Sequence, residues 1–319
     1  MEKKYSVGIG LNLFDSRAIL LQEDGKPAAQ IEKKRENISP NEVIEDLLSL
    51  FEGILEKAGA NKDKITAVGI ALGGIVNRKK GVVYWPQAQG SSYVSIALPL
   101  KDYFEKKFGL PVVVENDANA CAWAEYCANF SKNKNMLYMF SGVGCGIIID
   151  GQLYRGKEGE AGELFLKTER VMNSSLGDFS FLRQWPADLE MVKRAKTMIS
   201  MGRRTSLIKK ISPTGELSLR DIFEEAKKDK LAKEILQEAA FSLGVKMAFL
   251  INLLSPEVVV LGGGMEEAGE GFLDVCSDTV KNFSFSEMRR NLKIVRSELG
   301  KDAVALGAAM LACKEKSLQ

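Results

Sequence analysis

One pattern constrains this chain more than any other. An apolar strand runs into a glycine-bearing turn, returns as a second strand and ends at Asp-Gly. It occurs at VGIGLNLFDSRAILLQEDGK (residues 7–26) and again at MLYMFSGVGCGIIIDGQLY (136–154). Apolar runs flanking short turns predict β-hairpins, and Asp-Gly is itself a hairpin signal. A unit met twice predicts two similar halves, each a mixed sheet with helices on its faces. With 319 residues, each half has enough chain for its own core.

The segments between the two hairpins fit that plan. A third strand starts near Ala28. Ser39-Pro40-Asn41-Glu42 reads as a capping box, and the helix after it places Val43, Ile44, Leu47, Leu48, Phe51, Ile54 and Leu55 on one face, with Gly59 ending it. Ala67–Leu72 reads as a strand closed by Gly73-Gly74, Gly81–Tyr84 as a short strand and 85–95 as polar loop. Leu100, Tyr103, Phe104 and Phe108 mark a helix stopped by Gly109; Pro111–Glu115 is a buried strand and Ala118–Cys127 a helix. From 188 onward helices dominate, including one long region over Ile222–Leu254. Val258–Leu261 is a buried strand running into Gly262-Gly263-Gly264, Leu292–Arg296 a further strand and Ala303–Cys313 a helix of small residues.

Composition narrows the chemistry. Hydrophobic residues make up 45% and charged ones 27%, the balance of a globular protein, and the net charge of +2 gives no whole-chain argument for nucleic acid or membrane. No apolar run reaches the length of a membrane span and no secretory segment opens the chain, so a cytoplasmic protein is expected. Five scattered cysteines predict no disulfide framework. The chain has no histidine, which removes the commonest near-neutral base and zinc ligand, so acid–base chemistry must run on a carboxylate.

Three glycine turns follow apolar strands, at 8–14, 140–146 and 261–265. Such turns bind phosphate where backbone N–H groups converge and side chains stay clear, or they are tight turns with no ligand. Gly8-Ile9-Gly10 lacks the third glycine of a dinucleotide fingerprint. A second constellation, Glu115-Asn116-Asp117-Ala118-Asn119, stands at the carboxyl end of an apolar strand. Asp117 there is placed to take a proton from a hydroxyl, while Asn116 and Asn119 either orient a substrate or cap the helix. Glu158, Glu160 and Glu163 lie among glycines; they bind hydroxyls or a cation, or form a solvated loop.

Taken in order, ENDANACAWAE (115–125), SGVGCGIIIDGQLYRG (141–156), GEAGE (159–163), SPEVVVLGGGM (255–265) and LGKDAVALGAAMLA (299–312) resemble the ROK family of repressors, open reading frames and kinases, over essentially the whole chain. The resemblance implies an α/β, two-domain actin-like (ribonuclease H-like) fold of the sugar-kinase type, usually a homodimer. The expected divisions are 1–118, 119–302 and a helix, 303–319, crossing back to the first domain. It implies Asp117 as the base that prepares a sugar hydroxyl for attack on the γ-phosphate of ATP. Gly74, Asn116, Glu160 and Glu163 would bind sugar, and Ser141, Gly142, Gly144, Gly262, Gly263 and Gly264 the nucleotide, with Gly146 completing the second phosphate turn.

The departures from the family matter as much. Family kinases open with D-x-GGT, whose Asp helps hold Mg²⁺-ATP; here those positions are Gly10, Asn12, Leu13 and Phe14. Glu163 stands at the position of the family's histidine, and 164–183 contains none of its zinc-binding cysteines, so no zinc is expected and Phe165, Phe179, Phe181 and Leu182 are expected to pack that segment instead. The expected function is therefore a sugar-binding sensor or regulatory protein with little or no catalysis. The alternative is an ATP-dependent hexose or amino-sugar kinase, using ATP and Mg²⁺. A dead-site structural protein is the third reading. Family repressors carry a helix-turn-helix before the first hairpin; here the hairpin starts by Ser6, so no nucleic-acid partner is expected of the chain as it stands.

Overall fold

The computed structural model describes residues 4–11, 15–34, 40–89, 92–141, 144–164, 187–213 and 215–316. Its chain divides into two compact units. One comprises Met1–Tyr138, Gly146–Gly162 and Glu298–Gln319, the other Met139–Cys145 and Glu163–Ser297. The boundaries at 118 and 302 are placed differently: the chain up to Tyr138 and the segment Gly146–Gly162 group with the first unit, and the C-terminal helix groups with it too.

The first unit is built on a sheet of order β3-β2-β1-β4-β8. Its strands are β1 (Tyr5–Leu11), β2 (Asp15–Gln22), β3 (Pro27–Lys34), β4 (Ile65–Leu72) and β8 (Val112–Asn116). β1 and β2 form the expected hairpin, with Tyr5 opposite Gln22 and Leu11 opposite Ser16. β4 runs parallel to both β1 and β8, so these three strands deliver their carboxyl ends to one edge. Helix α1 (Pro40–Ala58) covers one face with Val43, Leu47, Leu50, Phe51 and Ile54 buried, close to the stripe expected from its spacing. Ser39, the expected cap, lies outside the described residues.

Helix α8 (Ala303–Lys316) covers the opposite face, and its approach explains glycines that looked like phosphate-turn residues. A Cβ at Gly8 would lie 2.0 Å from Ala305 O, and one at Gly69 of β4 would lie 1.9 Å from Ala308 O. Gly8 and Gly69 are paired in register, so the two strands together form a bare track for a helix of alanines. Any side chain on that track would push α8 away.

A three-stranded sheet, β5 (Ile75–Asn77), β6 (Val82–Gln89) and β7 (Ser92–Leu98), extends the unit. Residues 85–95, expected as loop, are therefore largely strand. Val83 pairs with Leu98 and Trp85 with Ile96, and Trp85 and Ile96 pack on the core, which the polar Gln87-Ala88-Gln89 run disguises. Helix α2 (Leu100–Phe108) ends as expected at Gly109, which is left-handed and donates its N–H to Glu105 O. Helix α3 (Asp117–Glu125) follows β8 without a break and is buried along its whole length.

A second sheet has the order β11-β10-β9-β12-β13, from β9 (Met136–Phe140), β10 (Gly144–Ile149), β11 (Gln152–Tyr154), β12 (Val258–Gly262) and β13 (Lys293–Arg296). Helices α4 (Ala187–Ser200), α5 (Leu219–Glu225), α6 (Lys230–Leu254) and α7 (Glu270–Phe283) make up most of the rest of the second unit. The single helical region expected over Ile222–Leu254 is two helices. Asp229 stops the first from continuing by capping α6, its side chain accepting from Ala232 N. α6 and α7 pack closely at Gly244, where a Cβ would meet Thr279 Cβ at 2.6 Å. No helix among the described residues is long and apolar enough to cross a membrane.

Candidate functional site

In open α/β sheets, ligands gather at the carboxyl ends of parallel strands. Here that edge carries Gly10 from β1, Gly73-Gly74 from β4 and Asn116-Asp117 from β8. Asn116 is the N-cap of α3, its Oδ1 accepting from Ala118 N at 2.9 Å and Asn119 N at 3.3 Å. Its Nδ2 donates to Gly74 O at 3.2 Å, tying β8 to the loop after β4. Capping and loop-tying are thus both present in one side chain. Asp117 opens the helix, 9% exposed, with Oδ1 accepting from Ala118 N at 2.8 Å. Its Oδ2 faces Gly73, where a Cβ would stand 3.2 Å away. Gly74 adopts φ +105, a conformation that favours glycine. A carboxylate at a helix N-terminus is stabilised in its charged form, the form a proton acceptor needs.

Glu115 precedes this pair and is 1% exposed. Its Oε1 accepts from Asn116 N (3.1 Å) and Asn119 Nδ2 (3.0 Å), and its Oε2 from Arg155 Nε (2.7 Å). Arg78 Nε lies 3.4 Å from the same Oε2, and Glu315 of α8 pairs with Arg78. Burial, reinforced by the charge of Arg155, lowers Arg78 below the ordinary guanidinium range, and Glu115 partly offsets this. Glu158 is not a solvated acid: its Oε2 accepts from Asn77 Nδ2 at 2.6 Å and its carbonyl from Arg78 N at 2.8 Å. Glu160, half-buried in the same segment, takes no hydrogen bond or ion pair from the described residues. Sequence reasoning missed Arg78, Arg155 and Glu315; a buried glutamate with no nearby cation in sequence was the available signal.

Glu163, Ser141, Gly144 and Gly262–Gly264 lie in the second unit, whereas Gly146 lies in the first, where a Cβ would stand 2.3 Å from Ala118 O of α3. Glu163 forms an antiparallel bridge with Gly144 at the start of β10. Ser141 is buried with φ +48, and its hydroxyl donates to Gly263 O. Gly262 ends β12, Gly263 and Gly264 are both left-handed, and Gly264 N donates to Glu266 Oε2 at 2.8 Å. The N–H of Gly264 is thus already taken by a carboxylate. Gly142 lies outside the described residues, as do Asn12, Leu13, Phe14, Phe165, Phe179, Phe181 and Leu182.

At the β1 end, a cation-bound nucleotide would need a carboxylate and open space for phosphate. A Cβ at Gly10 would lie 2.7 Å from Ala305 N and 2.8 Å from Val304 Cγ1, so no carboxylate can stand there with α8 in place. The nearest acid on the hairpin, Asp15, is held by Arg17 at 3.1 and 3.3 Å, and Arg17 also binds Asp302 at 2.9 Å and Glu32 at 2.7 Å. Burial opposes the charge on Arg17, but Asp15 and Asp302 outweigh it and raise its pKa. These residues do not fit a magnesium–phosphate site. Among the described residues no group of three or more His, Cys, Asp or Glu is placed to hold a metal.

A parallel-strand edge bearing an Asn–Asp pair at a helix N-terminus, within a mixed α/β fold, defines a protein of the sugar-kinase fold. The chain belongs to the ROK family, whose match spans residues 6–315. It is 30% identical over 267 residues to a xylose repressor from Caldicellulosiruptor bescii, covering 82% of this chain but 66% of the repressor, just under two thirds of its length. It is also 30% identical over 299 residues to a glucokinase from Streptomyces coelicolor, covering 86% of this chain and 87% of that one. A ROK glucokinase from Streptomyces griseus, solved in complex with glucose and AMPPNP, superposes with a TM-score of 0.77 at 26% identity, over 97% of this chain and 99% of the other.

Proposed function

We propose that this chain binds a hexose or amino sugar through Gly74, Asn116, Asp117 and Glu160, and acts as a cytoplasmic sensor or regulatory protein that transfers phosphate slowly or not at all. The observation that carries this is the contrast within one sheet edge. The Asn116–Asp117 end presents a carboxylate at a helix N-terminus beside Gly73 and Gly74, whereas the Gly10 end has no carboxylate and no room for one. Phosphoryl transfer depends on metal and phosphate contacts made at the transition state, so their loss falls on rate rather than on sugar affinity.

The second reading is an ATP-dependent sugar kinase. Likeness to glucokinases over nearly matched lengths supports it, more strongly than the comparisons support a regulator, and so does the buried Asp117. In that reading Asp117 is the base, and Ser141, Gly142, Gly144 and Gly262–Gly264 hold the nucleotide. A coupled ADP-release screen over a sugar panel separates the two. The sensor reading expects turnover at or barely above background with every sugar. Rapid sugar-dependent release, orders of magnitude above background and lost in Asp117→Asn, would overturn it.

A homodimer fits either reading. Phe241, Phe249 and Leu253 on α6, with Phe283 and Phe285 at the end of α7, are each at least half exposed, and a second copy would cover them. We propose no nucleic-acid contact for this chain, whose net charge is +2.

A further inference from the structure

We infer that Glu115 is a positioning residue: its buried carboxylate holds the segment Arg155–Gly162, and with it Glu160, in place against the Asn116–Asp117 strand end. The functional half of this inference rests on the sugar-binding reading above; the mechanical half does not.

Glu115 uses its two oxygens on different parts of the chain. Oε1 serves the β8–α3 junction through Asn116 N and Asn119 Nδ2, while Oε2 serves the Arg155 guanidinium at 2.7 Å. The segment that Arg155 begins is docked a second time, onto β5. Glu158 accepts from Asn77 and from Arg78 N, and Gly159, at φ +122, sits where a Cβ would meet Val76 O at 2.9 Å. Arg78 and Arg155 repel one another, and Glu115 lies against both, with Glu315 of α8 as the second acid shared between them. Neutralising Glu115 leaves two guanidinium groups against one carboxylate. The weakest attachment then gives way, and that is the irregular segment, since β8 and β5 are each held by strand pairing as well. Glu160 takes no partner from the described residues, so its position is set by the docking on either side of it.

A merely structural buried ion pair would lower stability everywhere alike; a positioning residue loosens one segment. Two amides report on that segment directly: Arg78 N, which donates to Glu158 O, and Ala161 N, which donates to Arg155 O. In the whole chain, hydrogen exchange of these two amides in Glu115→Gln is expected to speed at least tenfold, while amides of β1 and β4 keep their wild-type rates. Arg155→Ala should do the same, the double variant should be no faster than either single one, and Arg155→Lys should recover part of the protection. Sugar affinity, read by calorimetry, should fall about tenfold in the same two single variants and recover in step. Unchanged exchange at Arg78 and Ala161, or a rise matched in β1 and β4, would overturn the positioning role. If Glu115→Gln fails to fold, Arg155→Lys and Arg155→Ala decide the matter, because Arg155 is partly exposed. If wild type binds no sugar in the panel, the sugar-binding reading fails, and the exchange result still decides the role of Glu115.

Discussion

β1 and β8 flank β4 in one sheet, run in the same direction and end at the same edge, yet their ends are built in opposite ways. At β8 the chain passes directly into α3, so Asn116 and Asp117 stand at a helix N-terminus with polar atoms turned to Gly73 and Gly74. At β1 the last residues lie under α8, and Gly10 is bare because Val304 and Ala305 occupy the space above it. What a strand end can hold is decided by what packs over it. One end of this edge presents Asn116 and Asp117 at a helix N-terminus; the other is part of the core.

Gly10→Asp is the most direct attempt to break that contrast. The new side chain would strike Ala305 backbone, which cannot rotate away, so a loss of more than about 4 kcal/mol is expected, enough to prevent folding. Adding Val304→Gly removes the side-chain part of the clash and should recover some urea stability, without reaching wild type. A Gly10→Asp protein with native stability would mean that α8 does not close this end.

Lys246, on α6 in the second unit, calibrates the stability scale away from both ends. It is 5% exposed, and burial pushes its ammonium down from 10.5 to about 8. At neutral pH the native state must keep a buried charge that the unfolded chain holds in water. That penalty is full below about 8 and fades as pH rises towards 10.5, where both states are neutral. Lys246→Met should therefore stabilise the protein at pH 7 by on the order of 2–3 kcal/mol. The advantage should vanish by pH 10.5, and thermal melts across that range check both statements.

Asn116→Ala should have the smallest effect on stability, about 1 kcal/mol for a lost N-cap. It should nonetheless weaken sugar binding, because the same side chain holds Gly74. Unchanged sugar affinity alongside that loss of stability would mean that Asn116 only caps.

Much of the first sheet was legible because its signals are local. Val112-Val113-Val114 followed by a polar cluster marks a buried strand end, and the aromatic spacing of α2 with Gly109 after it marks a helix and its stop. The start of β6 reads as a strand, but its continuation past Tyr84 and the whole of β7 were not legible, since their glutamine- and serine-bearing residues pair with each other. The meaning of Gly10 was hidden for another reason. A glycine near a turn suggests a backbone that must bend or approach phosphate, but Gly10 answers to a helix at the far end of the chain. The Glu115 cluster is likewise assembled by topology, drawing Arg78, Arg155 and Glu315 from three distant segments.

The contrast between the two strand ends is tested most directly by isothermal calorimetry on wild-type protein, with a hexose and amino-sugar panel in one series and Mg²⁺-AMPPNP in the other. Binding of at least one sugar, with affinity independent of Mg²⁺-AMPPNP and no heat from the nucleotide alone, is the result expected. Micromolar binding of Mg²⁺-AMPPNP that tightens with sugar present would contradict it.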